Sequence, residues 1–337
     1  MPRDAAFEEL FGNPGETPSD TGESGLANLG FIQKDFEPGE PIPDEQPTKI
    51  PAPEPGLHFD IPFGQYLSWD AVNQSACKPM DITPAHYVAY LTKNENTPAL
   101  RVGSLTDTLV FEPKLFAERF DVTPRSYVNS DGDTKPWRGN ANVCKEWVAE
   151  SAVSGKTILT PKEHDEAVRL SQAVFKHRAG GELLAKGQAQ ISMVWVDEVT
   201  GVLCKGRLDW LTDEAIVDLK TTIDASEDGF PSQINKYRYH VQAAFYKDGY
   251  KAITGLDRPF IIIAAEKGSP WGVHVVEVQP PSLETGRSMY RRALSKFREC
   301  QDTNNWHGYS QFVEPIDIPL WAIRQELGKE YGEADVI

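Results

Sequence analysis

Two carboxylates and an amine stand at spacings that suit phosphodiester hydrolysis. The run Gly206-Arg207-Leu208-Asp209-Trp210 is followed, across the polar turn Thr212-Asp213-Glu214, by Ile216-Val217-Asp218-Leu219-Lys220-Thr221-Thr222. Both runs read as apolar strands. Asp218 and Lys220 are two apart, so a strand points them to one face. Asp209 lies near the end of the preceding strand, within reach of the same spot. Two carboxylates make a hard-oxygen site for Mg²⁺, which keeps its waters for substrate phosphate. The lysine can orient a water or offset charge on a phosphate in flight. An Asp-x-Lys triplet alone is common on solvated strand edges. Here it is embedded among apolar residues, and a charge inside a buried strand needs a partner or a function.

A helical segment follows, carrying Tyr239-His240-Val241-Gln242-Ala243-Ala244-Phe245-Tyr246. Gln242 and Tyr246 are four apart and share one helix face. Beside a phosphate, an amide and a phenol can hold a nucleic-acid backbone or base edge without adding charge. The histidines offer less: His86 reads as a local cap, His240 as a structural group, and the other five lack ligand partners in sequence. No P-loop, GxGxxG or Ser/His/Asp order stands out.

The length of 337 residues allows one large or two modest domains, and 40% apolar content supports a substantial core. No apolar run is long enough to cross a membrane, and the first residues lack a signal-peptide pattern, so the expectation is a cytoplasmic protein with no membrane partner. Cys77, Cys144, Cys204 and Cys300 are far apart with no CxxC, which suggests free thiols in a reducing cytosol. The net charge of −16 argues against avid non-specific duplex binding. It is uneven: residues 1–55 hold 12 Asp/Glu against 3 Lys/Arg. An acidic average still permits a local basic groove.

Residues 1–55 are rich in Pro, Gly, Asp and Glu and read as a disordered acidic tail, with 56–325 as the folded domain and 326–337 as a short C-terminal tail. Thr83-Pro84 reads as a helix start. Helices are expected at 104–119, 161–179, 231–251 and 282–302, and a loop at 123–142. Strands are expected at 190–197, 202–210, 215–221, 259–266 and 272–279. This order suits an α/β fold in which helices flank a central mixed β-sheet.

Several segments, in order from about 65 to 322, resemble the PD-(D/E)xK nuclease superfamily, and within it the RecE-type exonucleases (the C-terminal nuclease domain of exonuclease VIII). They are Thr83-Pro84-Ala85-His86-Tyr87; Gly103-Ser104-Leu105-Thr106-Asp107 through Pro113; Lys205 to Trp210 with Asp218 to Thr222; Tyr239 to Tyr246; Glu266-Lys267; Trp306-His307-Gly308-Tyr309; and Ile318-Pro319-Leu320-Trp321. The resemblance implies a restriction-endonuclease-like core and Mg²⁺-dependent exonuclease action on linear double-stranded DNA, with Mn²⁺ as an alternative ion. It implies Asp209 and Asp218 as metal ligands, Lys220 acting on water or phosphate, and Gln242 and Tyr246 contacting substrate. It further implies a homo-oligomeric ring, a RecT-like single-strand annealing partner, and a role in phage-type recombination in the bacterial host cytosol.

Two positions depart from that pattern. Asp107 stands where relatives carry His, and Gln190 where they tend to carry Glu. Asp107 for His keeps an oxygen ligand suited to Mg²⁺ or Mn²⁺ and adds a negative charge, while Gln190 for Glu removes one. The two changes are expected to offset each other. Two other readings stand beside the exonuclease: a nuclease-fold protein that binds DNA or a partner without cutting, and a structure-specific endonuclease of the same superfamily.

Overall fold

The computed structural model describes residues 49–92 and 97–331, the last five by backbone alone. The expected acidic tail lies almost wholly outside the described residues, as does the end of the C-terminal tail. A six-stranded mixed sheet forms the centre. Its strands are β1 (Gly56–His58), β2 (Gln188–Val196), β3 (Leu203–Leu211), β4 (Ile216–Thr222), β5 (Phe260–Glu266) and β6 (Val273–Glu277), in spatial order β6-β5-β4-β3-β2-β1. Only β4 and β5 pair in parallel, Asp218 lying opposite Ile262; every other neighbouring pair is antiparallel. Parallel neighbours need a long crossover, and here it is helical.

The helices that position the site are α1 (Gln74–Ile82), α2 (Pro84–Leu91), α3 (Pro98–Phe111), α4 (Pro161–Lys176), α5 (Phe230–Tyr237), α6 (Tyr239–Thr254) and α7 (Pro280–Thr303). Their starts are written in the chain. Thr83, Thr97 and Thr160 each accept a backbone N–H from the first turn, with a proline following at the first helical position. Glu163 completes a capping box with Thr160 and also receives the Arg101 guanidinium at 3.0 Å, which ties α4 to α3.

Strand alternation divides the core in two. Ile216, Phe260, Ile262 and Ala264 pack with Val241, Phe245, Tyr290 and Leu294 of α6 and α7. Val217, Leu219, Ile263 and Ala265 pack with Val102, Leu105, Leu170 and Val174 of α3 and α4. β5 is therefore nearly continuous in apolar residues, as a strand covered on both faces must be. Lys205 is 2% exposed, and its ammonium donates to the carbonyls of Tyr66, Leu67 and Trp69, satisfying the end of the short helix Phe63–Ser68. Burial pulls this ammonium down to about 8.

Several elements differ from the sequence reading. The segment expected as helix 104–119 begins earlier, under the Thr97 cap, and ends at Phe111, because Pro113 cannot continue it; a 3₁₀ turn and a single short helix follow. The expected loop 123–142 contains a small hairpin, Ser126–Val128 with Thr134–Pro136. Asn129 Oδ1 accepts from the N–H groups of Asp131 and Asp133 and closes its turn. The expected helix 161–179 stops at Lys176, and a second, Arg178–Leu184, runs through Gly180 and Gly181. The expected helix 231–251 is two helices. Arg238, at φ 61°, breaks it and sends its guanidinium to Asp81 of α1 at 2.9 Å. All four cysteines are free and buried, and no helix among the described residues is long and apolar enough to cross a membrane.

The α6–α7 crossing is closer than any side chain permits. A Cβ at Gly286 would lie 2.2 Å from the His240 carbonyl oxygen. Gly286→Ala is expected to force the helices apart and cost about 1–3 kcal/mol. A urea titration should show a lowered midpoint with unchanged slope.

Candidate active site

β3 and β4 pair only beside their turn, at Leu211 with Ile216 and Trp210 with Val217. One step further that register would set Asp209 opposite Asp218, two like charges face to face, which destabilises a ladder. The ladder stops there. Asp209 Oδ2 instead accepts the backbone N–H of Leu219 at 3.2 Å, so the carboxylate takes the place of a strand carbonyl. On its other side Asp209 faces Gln190, which falls out of the β2–β3 pairing and has φ 54°. A glutamine in the left-handed region is uncommon, and such residues gather at functional sites. Asp209 thus sits at a local defect on both flanks.

The opening beside it is a cavity of about 550 Å³, lined among others by Asp107, Asp209, Lys220, Tyr237, Tyr239 and Lys267. Asp107 reaches it from α3, and the two tyrosines from the α5–α6 break. Asp218 lies behind the cavity wall, 2% exposed. Its Oδ1 accepts from Gln242 Nε2 at 2.7 Å. Its Oδ2 is 2.5 Å from the Lys220 ammonium, so the second oxygen is held in a close, buried ion pair. Lys220 also lies 5.2 Å from the centre of the Tyr239 ring. Tyr246 does not line the cavity. It packs against Gly206, where a Cβ would meet its ring at 3.0 Å, and supports β3 from behind.

The electrostatics follow from crowding. Burial, with Asp218 adding to it, pushes the Asp107 carboxyl up to about 7 against the opposing pull of Lys220. Burial and the charges of Asp218 and Asp107 push Asp209 well above the usual carboxylate range. Burial alone would lower the Lys220 ammonium, but Asp218 and Asp209 outweigh it and hold the group protonated.

Of the sequence-predicted residues, Asp107, Asp209 and Lys220 share the cavity, Asp218 and Gln242 meet directly behind it, and Tyr246 stands in support. Arg207 was not singled out from sequence. Its Nε donates to Gln190 Oε1 at 2.8 Å, and Nη1 to the Ile61 carbonyl and Ser192 Oγ, each at 2.9 Å. Gln190 Nε2 then donates to Asp107 Oδ2 at 3.0 Å. The two departures noted in sequence are therefore in contact. The signal for Arg207 was its place two before Asp209, an arginine inside a buried strand. Lys267, Tyr237 and Tyr239 were also missed as cavity residues.

Among the described residues no three His, Cys, Asp or Glu side chains are gathered closely enough to enclose an ion. Mg²⁺ does not require that: one or two carboxylates suffice, with waters and substrate phosphate completing the shell. Asp107 and Asp209 on the cavity wall offer hard-oxygen donors that fit such an ion, and Asp218, paired to Lys220, stands behind them.

A family model described as a PDDEXK-like domain of unknown function (DUF3799) matches residues 73–317. A search of curated proteins finds no match. Among solved structures, a protein described as "Putative exonuclease" from Eubacterium rectale is 19% identical, covering 76% of this chain and 92% of that one at a TM-score of 0.45. The protein SSO0001 is 13% identical, covering 66% and 84%, at a TM-score of 0.26.

Gln190 joins a neutral donor to a carboxylate that already resists ionisation. Gln190→Glu would oppose two carboxylates there. The expected loss is about 1–3 kcal/mol of stability at pH 8. A carboxyl with a raised native value keeps a proton that the unfolded chain releases, so stability falls as the pH rises from the ordinary 3.8 through about 7. The loss should accordingly shrink at pH 5 and vanish in an Asp107→Asn background, as a double-mutant cycle of urea midpoints would read.

Proposed function

We propose that this chain, which belongs to the family of PDDEXK-like domains DUF3799, is a metal-dependent DNA exonuclease of the RecE type. Family membership supports a nuclease of this superfamily. The observation that carries the proposal for this site is the opening between β3 and β4, where Asp107, Asp209 and Lys220 line one cavity with Asp218 paired to Lys220 behind them. The substrate is linear double-stranded DNA, resected to expose single strands for recombination of the phage type. The setting is the bacterial host cytosol, as a homo-oligomeric ring working with a RecT-like annealing protein.

Asp209 and Asp107 hold a divalent cation, Mg²⁺ or Mn²⁺, with Asp218 as a further oxygen donor. When bound, such an ion supplies Lewis acidity toward the scissile phosphate and lowers the pKa of a bound water. Lys220 stays protonated beside Asp218 and offsets the charge that builds on the phosphate in the transition state. Gln242 holds Asp218 by one oxygen and fixes where the other points. Tyr237 and Tyr239, stacked at 5.7 Å, offer aromatic surface at the cavity mouth for a sugar or base.

The test is degradation of end-labelled linear duplex against a closed circle, with Mg²⁺ or Mn²⁺. The expected result is metal-dependent loss of the linear form only, reduced on the order of a hundredfold or more by Lys220→Ala. Loss of both forms would identify a structure-specific endonuclease. No cutting by folded wild type would leave a binding protein on a nuclease fold.

Metal binding has its own readout. Mn²⁺ at about a hundred times its Kd should stabilise the protein by about 2.7 kcal/mol, seen as a raised Tm. Asp209→Asn should abolish that rise, and an undiminished rise in Asp107→Asn would remove Asp107 from the metal site.

A further inference from the structure

A second cavity of about 570 Å³ lies where the C-terminal half of α4 faces the β5–β6 turn. Arg169, Gln172, Lys176, His177, Pro270 and Trp271 line it, and no carboxylate does. In a chain of net charge −16 that is a marked local reversal. Arg169 and Lys176 are seven apart on α4, so they fall on one face, and both are exposed. Neither has a carboxylate partner among the described residues. The Arg169 guanidinium lies 5.6 Å from the centre of the Trp271 ring, forming a flat cationic platform.

The turn presents that ring at a cost. Trp271 has φ 64°, a conformation that is an outlier for a bulky side chain. Its N–H donates to the Gly268 carbonyl at 2.7 Å, and Gly268, at φ 87°, supplies the other left-handed residue of the turn. Outliers of this kind gather at ligand clamps. The same turn also reaches the active site. Lys267 lines the catalytic cavity and is fixed to β4 by its N–H, which donates to the Thr222 carbonyl at 2.9 Å. Lys267 and Trp271 are four positions apart, at most about 14 Å of chain.

We infer that the Arg169–Lys176–Trp271 pocket binds single-stranded DNA, taking one unpaired strand next to the cleavage site. Unpaired cations meet the phosphates, and the indole–guanidinium platform takes a base on its π-face. This combination recognises a single strand without reading its sequence. A paired base inside a duplex does not offer its face, so the pocket selects for a strand already separated. The inference rests on the nuclease reading for the identity of the polymer, but binding and cutting are measured separately.

The test is fluorescence anisotropy of full-length protein with labelled oligothymidylate, long enough to span a site of about 4–16 nucleotides, in EDTA so that no metal-dependent cutting occurs. Trp271→Ala should weaken binding about 5- to 150-fold, the range for losing one stacked base, and Trp271→Phe should keep most of the affinity. The exposed pair Arg169→Ala/Lys176→Ala, which leaves the core untouched, should lower the salt dependence by about 0.7 for each phosphate that is no longer neutralised. The same preparations are assayed on linear duplex with Mg²⁺. Unchanged affinity and salt slope in both variants overturn the inference, and leave the nuclease reading standing if wild type cuts. No oligonucleotide binding by wild type also overturns it. Displacement by inorganic phosphate at equal phosphate concentration overturns it as well, in favour of a simple anion site. Variant-sensitive binding without any cutting upholds the pocket and removes the nuclease reading.

Discussion

The arrangement turns on two aspartates that an antiparallel register would set face to face. Continuing the pairing of Trp210 with Val217 by one step puts Asp209 against Asp218. Neither group can be moved to solvent, because both lie on strands at the middle of a covered sheet. The strands part instead. Each carboxylate then needs new partners: Asp209 takes the Leu219 N–H, and Asp218 takes Gln242 and Lys220. The opening that relieves the repulsion is the same opening that forms the cavity, so the cleft follows from the charges that work in it.

The second flank shows the same economy. β2 runs alongside β3 in one register on either side of Gln190, and only Gln190 leaves it. Its left-handed backbone costs stability. The return is a side chain that satisfies Arg207 with its oxygen and Asp107 with its amide. Arg207, buried under β1 and the short helix Phe63–Ser68, places its Nη1 on Ile61 and Ser192. A glutamate at 190 would serve Arg207 but oppose Asp107. A histidine at 107 would accept a glutamate at 190. The identities at 107 and 190 therefore constrain each other, and reading either position alone misses the reason for it.

Much of the site was legible because short-range periodicity carries it. Two-residue alternation on β4 puts Asp218 and Lys220 on one face, and the brief turn brings Asp209 beside them. Thr83 and Pro84 marked the start of α2, and Pro161 that of α4. The strand at β5 was also expected, at 259–266. What escaped were features decided by tertiary contacts. Nothing local in Asn235-Lys236-Tyr237-Arg238-Tyr239 announces a helix break. It is made by Arg238 finding Asp81 of α1, and by Tyr239 turning under Lys220. The α3 start carries the same Thr-Pro signal, Thr97-Pro98, as α2, although the expected helix begins only at 104. Tyr246 shares a helix face with Gln242, but one turn of helix carries it from the carboxylates to the back of Gly206.

On the nuclease reading a chain of net charge −16 acts on a polyanion, and its unpaired cations matter most where the polymer passes. Many described cations are paired with carboxylates: Arg287 with Asp248, Arg238 and Arg292 with Asp81, Arg125 with Asp165, Lys186 with Asp213. One-to-one pairs contribute little stability at the surface and largely cancel in the field, while Asp81, shared by two arginines, leaves one positive charge over. Lys220 is held by Asp218, and Arg207 is buried beneath the sheet. Lys267, Arg169 and Lys176 are among the described cations that form no ion pair, and these three lie together on or beside one turn. A field from three such groups is local, since screening confines it to about 8 Å at physiological salt. It therefore does not attract duplex to the surface at large. On the proposed reading it favours a strand that has already entered, in a chain whose net charge is −16.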